Sequence, residues 1–308
     1  MTWLAPFVGV IVLLALLHEV YSTVFVPRGG AGPVSRRLYA GAWHGWRRVA
    51  SALPSRRRRR WLSLLGPLLV PLTVFAWFSI LIAGYALIYY PWAGSFVASP
   101  SVLGSVPSWA KALYYSGYSA TTLGVGDVVP RGMALRFVSV LEAAHGFVLF
   151  TVAVAYLLSI YSALNRSTAL ALEISRFVGR AEGKEPADAL IAMAHSGAEP
   201  DVREWMARTF SILASAIQSE RQYPLLHYFH SPDDDRAPPV ALPDLLEVVT
   251  LSRSLLSPAH FPALSGGPAS AALERLARHH LVEGAGVRSV WWTDFRYAAI
   301  ARSVLPSS

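Results

Sequence analysis

Three stretches of this 308-residue chain are long and apolar enough to cross a bilayer, about Trp3–Val26, Trp61–Tyr90 and Ala134–Ala163. Each meets the length of ~20 residues that a transmembrane helix needs. Hydrocarbon offers no partner to backbone N–H and C=O groups, so each such segment must pair its own as a helix. The composition agrees, with 54% hydrophobic and 15% charged residues, too apolar for an ordinary soluble protein. The first span lacks a basic leader and a small-residue cleavage site, and strongly basic sequence follows it. It reads as a retained anchor rather than a secretory signal.

Charge predicts the orientation. Ten arginines lie between spans one and two: Arg28, Arg36, Arg37, Arg47, Arg48 and Arg56 to Arg60. Residues 91–133 hold only Lys111 and Arg131. The positive-inside rule then expects the arginine loop and the C-terminus in the cytoplasm, with the N-terminus outside a plasma membrane. Residues 36–53 mix Tyr39, Trp43 and Trp46 with the arginines. They suit either an amphipathic helix on the inner leaflet, with anionic lipid as partner, or a solvated basic loop. Trp61, Trp92 and Tyr89–Tyr90 are candidate interfacial anchors.

Between spans two and three, residues 111–130 read KALYYSGYSATTLGVGDVVP. Stripping water from a monovalent cation requires rings of backbone carbonyls in its place. Turning successive carbonyls one way needs φ > 0, which glycine adopts without a Cβ penalty. Gly124 and Gly126 alternate with side-chain residues here, and in such a ring Thr122 would add a hydroxyl at the inner end and Asp127 would charge the outer mouth. Trp109–Ala120 before them is helix-compatible, and Pro130 closes the segment. Thr121-Thr122-Leu123-Gly124-Val125-Gly126-Asp127 resembles the TTVGYGD filter of potassium channels, over roughly residues 62–165 with the flanking spans. That resemblance implies Thr122, Leu123, Gly124, Val125 and Gly126 as ion-binding positions. It also implies filter support from Tyr114 and Tyr115 and four filter segments around an axis, hence a homotetramer.

Leu123 and Val125 depart from that pattern. The family's aromatic residue at the second position packs outward against the pore helix, and Val125 fills less volume and has no hydroxyl. This predicts a less rigid filter and a weaker preference for potassium over sodium. The competing expectation is that Tyr114, Tyr115 or Tyr118 fills the gap. Below the filter, sixteen residues past Pro130, Gly146 stands where the resembling channels bend their inner helix. The alternative is a small residue for close helix packing. Phe147, Phe150 and Val154 recur at helical spacing and are candidates for an apolar cavity wall or gate. Glu142 and His145 are ionisable groups inside an apolar span, where such groups are costly and usually paired. Glu142 is expected to bond Ser116 or Ser119 behind the pore helix. His18 and Glu19 are expected to be structural.

Residues 1–165 carry thirteen Lys and Arg against three acids, and residues 166–308 carry fourteen against sixteen. The basic excess belongs to the membrane half, which argues against a nucleic-acid-binding domain. Without cysteine there is no disulfide framework or thiolate metal site. Helical patterns at about 168–181, 187–195, 201–221, 242–256, 269–283 and 290–304, with Asp201 as an N-cap, predict an all-helical C-terminal domain. Its ligand is left open by the sequence. Asp233–Asp235 with His227 and His230 lack calcium-loop spacing, and His279–His280 and Trp291–Trp292 define no site.

The expected organisation is an N-terminal transmembrane helix (1–27), an Arg-rich linker (28–60), a pore domain (61–165) and a helical domain (166–308). The fold class is an all-α membrane protein with three transmembrane helices and a re-entrant pore helix. The expected function is passive K+ conduction, with no cofactor and no reaction catalysed, since no nucleophile-elbow pattern occurs. A poorly selective Na+/K+ channel and a non-conducting membrane-anchored sensor are the alternatives.

Overall fold

The computed structural model describes residues 2–26, 31–54, 57, 61–98, 106–179, 185–196, 199–229, 241–242, 244–245 and 247–249. The chain is an all-α membrane protein, and three of its helices are long and apolar enough to cross a membrane. In order they are α1 (Ala5–Val24), α3 (Leu65–Tyr89) and α5 (Met133–Val178). Between them lie α2 (Pro33–Ser51) and α4 (Ser108–Ala120). Helices α6 (Pro186–Ser196) and α7 (Glu199–Gln222) follow. The helices expected at 269–283 and 290–304 lie outside the described residues. Contacts divide the chain into two units, one of residues 1–161 with 222–228 and the other of 162–221 with the residues after 228.

In the first unit, α1 lies against α3 with the backbones in close approach. A Cβ on Gly9 would stand 2.5 Å from the Gly84 carbonyl, and one on Gly84 would stand 2.8 Å from Leu13. Small residues permit this where lipid supplies no hydrophobic drive for helix association. The outward residues of α1, among them Phe7, Ile11 and Leu14, are exposed.

Helix α2 buries Ser35, Tyr39, Trp43 and Ala50, one face at helical spacing. Of the two readings of the linker, helix and solvated loop, residues 33–51 take the helix, and its Tyr39 and Trp43 pack on protein. The Thr73 hydroxyl on α3 donates to Tyr39 at 3.3 Å, and the Tyr39 hydroxyl stands 3.5 Å from that of Tyr156 on α5. Trp46 stacks on Trp61 at 4.5 Å and donates its indole N–H to the Trp61 carbonyl at 2.8 Å. Tyr228, on a 3-10 turn over Pro224–Tyr228, meets Trp43 at 5.8 Å.

The start of α2 has no cap of its own, because Gly32 precedes it. Glu19 of α1 fills the role. Its two carboxylate oxygens accept from the backbone N–H of Val34 and of Ser35, each at 2.8 Å. Thr23 accepts from the Gly32 N–H at 2.9 Å. A carboxylate on free N–H groups also meets the positive end of the helix dipole. The buried Glu19 is thus structural.

The second unit has a core of Leu170, Ile174, Val178, Met206, Leu213, Leu245 and their neighbours. Phe177 stacks on Trp205 at 3.6 Å. Two boundaries differ from the sequence reading. Residues 168–178 continue α5 instead of starting a new helix, because no Gly or Pro interrupts 147–178. Asp201 lies inside α7, which begins at Glu199, and does not cap it. Two short strands, β1 (Val97–Ala98) and β2 (Val128–Val129), pair antiparallel, with Val97 opposite Val129.

Glu19→Ala leaves two helix-start N–H groups without their charged acceptor, at a cost of about 2–3 kcal/mol. A lower melting temperature of the detergent-solubilised protein is expected, and an unchanged one would contradict the cap.

Candidate functional site

The site grows out of the end of α4. Its last turn closes with Thr122 N–H donating to the Ser119 carbonyl at 3.0 Å and Leu123 N–H to the Tyr118 carbonyl at 2.9 Å. This is a Schellman pair, which requires a left-handed residue at its corner. That residue is Thr122, with φ of 56°, the one non-glycine with positive φ among the described residues. A side-chain residue held there costs on the order of 1–3 kcal/mol. Gly124 (61°) and Gly126 (79°) repeat the conformation at every second position. Glycine takes this conformation without a Cβ penalty, and the sequence pattern calls for it at these two positions. Thr121 to Gly126 are exposed within the single chain.

Two tyrosines of α4, one turn apart, hold the far end of this segment. The Tyr114 hydroxyl donates to Asp127 Oδ2 at 2.8 Å, and the Tyr118 hydroxyl donates to the Val128 carbonyl. The carboxylate acceptor raises the Tyr114 hydroxyl above the ordinary phenol value. Tyr115 points the other way and bonds Ser139 on α5. The Tyr118 ring meets Tyr114 and Tyr115 edge-on at 5.3 and 5.2 Å. Tyr89 and Phe96 extend the cluster at 4.9 and 5.2 Å from Tyr115. Val125 itself is half exposed, and Leu123 more so.

Behind α4, the fully buried Glu142 joins three helices. Its Oε1 accepts from the Ser116 hydroxyl at 2.5 Å and its Oε2 from the Tyr89 hydroxyl at 2.8 Å. Ser116 is one of the two partners the sequence predicts. Tyr89, a candidate interfacial anchor by its place in the sequence, is instead buried on this carboxylate. His145, three residues further along α5, sets its Nδ1 3.5 Å from the Tyr85 hydroxyl.

Gly146 is buried at the crossing of α5 and α4. A Cβ there would run into the carbonyl of Ala120, the last residue of α4. This contact gives Gly146 the close-packing role that is the alternative to a hinge. Phe147, Phe150 and Val154 are all exposed within the single chain, on a side of α5 that its own helices leave uncovered.

Sequence reasoning missed the anchoring of Tyr118 to Val128, the β1–β2 pairing and the part of Ser139. The four-residue step from Tyr114 to Tyr118 is a readable signal, since it places both rings on one helix face. Asp233–Asp235, His230, His279–His280 and Trp291–Trp292 lie outside the described residues. Among the described residues, no group of three His, Asp or Glu side chains could hold a metal ion.

A short helix ending in a loop of repeated positive φ, set between two membrane spans, is the arrangement of an ion-channel domain. Residues 72–163 match the family described as "Ion channel". The chain belongs to the family of a Bacillus subtilis (strain 168) relative, "Uncharacterized membrane protein YdjJ". The two are 30% identical over 254 residues, which cover 79% of this chain and 68% of the relative. No solved structure matches the chain significantly.

Gly146→Ala forces α5 away from the end of α4. Overpacking of this kind costs about 1–3 kcal/mol. The variant is expected to melt at a lower temperature than wild type in detergent. Wild-type stability together with altered open probability would favour the hinge over the packing role.

Proposed function

We propose that the chain is one subunit of a homotetrameric potassium channel, conducting K+ passively through a ring of backbone carbonyls. The observation that carries this is the repeated positive φ at Thr122, Gly124 and Gly126. Four such segments around an axis would replace the hydration shell of a dehydrated cation. The carboxyl end of α4 adds the negative end of its helix dipole beneath the filter. Asp127 adds charge at the mouth. Phe147, Phe150 and Val154 would line the cavity below, where an apolar constriction can close by dewetting.

The tyrosine anchors support potassium selectivity despite Val125. Tyr114 and Tyr118 fasten the outer end of the filter to its own pore helix, which is the task the missing aromatic residue has in the resembling channels. The half-exposed Val125 supports the second reading, a poorly selective Na+/K+ channel. Recording purified protein in planar bilayers, with K+ on one side and Na+ on the other, separates them. A reversal potential strongly favouring K+ is expected, one near zero would select the second reading, and no current at all would sink both. Gly126→Ala should abolish conduction, because Ala resists φ > 0.

The orientation proposed is N-terminus outside and C-terminus in the cytoplasm. Because the chain has no cysteine, Ser95→Cys and Ser307→Cys report it directly. An impermeant thiol reagent added to intact cells is expected to label the first and spare the second. The reverse pattern would invert the topology.

A further inference from the structure

The packing of α2 turns its aromatic face inward and leaves a basic one outward. Arg36, Arg37, Arg47 and Arg48 are all exposed. Eleven residues are close to three full turns, so Arg36 stands above Arg47 and Arg37 above Arg48, with about 16 Å between the two pairs. Among the described residues no carboxylate pairs with any of the four. Ala40, Gly41 and Gly45 lie between the pairs, and a Cβ on either glycine would meet nothing within 4 Å. Among the described residues the stripe is therefore open at these positions.

Both ends of α2 are tied to membrane spans. Glu19, near the end of α1, holds its start, and Trp46 stacks on Trp61, where the second span begins. The helix is thereby kept at one border of the bilayer. Exposed Val34 and Val49 flank the arginines. Long guanidinium side chains beside apolar residues suit the headgroup layer, where stems stay in apolar surroundings and charges reach phosphate.

We propose that this face of α2 binds anionic phospholipid headgroups of the adjoining leaflet. Charge complementarity selects the occupant, since each arginine near an anionic surface adds attraction and zwitterionic lipid offers none. Tyr39, on the opposite face, touches Thr73 and Tyr156. A headgroup-bound α2 would thus bear directly on α5. The binding itself does not depend on whether the chain conducts.

An environment-sensitive fluorophore on Gly45→Cys reads the contact in the full chain. The protein is reconstituted in phosphatidylcholine vesicles with increasing phosphatidylglycerol. The emission is expected to shift as phosphatidylglycerol rises and to revert in high salt, which screens exposed charges. Each Arg→Gln change should raise the half-effect mole fraction about fivefold, and changing all four should remove the response. Arg→Lys at all four should retain it. Equal emission in both lipids, a response that survives neutralisation of all four, or the same response to inorganic phosphate in phosphatidylcholine alone would overturn the proposal. If the neutralised variant fails to fold, the salt and phosphate arms on the wild-type face still decide.

Discussion

One carboxylate holds the pore helix from behind. Glu142 accepts hydroxyl protons from Ser116 on α4 and Tyr89 on α3 while standing on α5. An ionisable group at membrane depth is costly unless it is paired, and this one is met on both oxygens. The three helices around residues 121–126 are thus joined at a point where apolar packing alone would let them slide. The close approach of Gly146 to Ala120 sits one turn further along α5 and fixes the same crossing.

The rest of the first unit repeats the device. Glu19 fastens α2 to α1, and Tyr39 joins α2 to α3 and α5 through hydroxyl contacts. In each case a polar side chain from one helix answers a polar group on another. These links are specific in direction, whereas apolar contacts are not. Both buried carboxylates of the module, Glu19 and Glu142, therefore serve its geometry.

The spans, the helix before residue 121 and the positive φ of Gly124 and Gly126 were legible because each follows from local chemistry, whereas that of Thr122 was not. A long apolar run must be helical in lipid, and alternating glycines announce their backbone. A partner of Glu142 was legible for the same reason, since a buried carboxylate needs donors nearby. What escaped was tertiary. Nothing in the spacing of Tyr89 distinguishes a buried donor from an interfacial anchor. The face that α2 turns inward depends on Thr73 and Tyr156, far away in sequence. The continuation of α5 past residue 168 is hidden because polar residues there suggest a boundary that helix propensity does not require.

Thr122 is at once the corner that ends α4 and the first of the three left-handed positions that follow it, with Gly124 and Gly126. The two elements therefore share one phase. Adding or deleting a single residue in α4 would rotate everything upstream by about 100°. Tyr114 and Tyr118 would swing off Asp127 and Val128, and Ser116 off Glu142. A change of length along this segment therefore disturbs all of these contacts at once. Residues 114–128 thus act as one block whose length sets the register of its contacts.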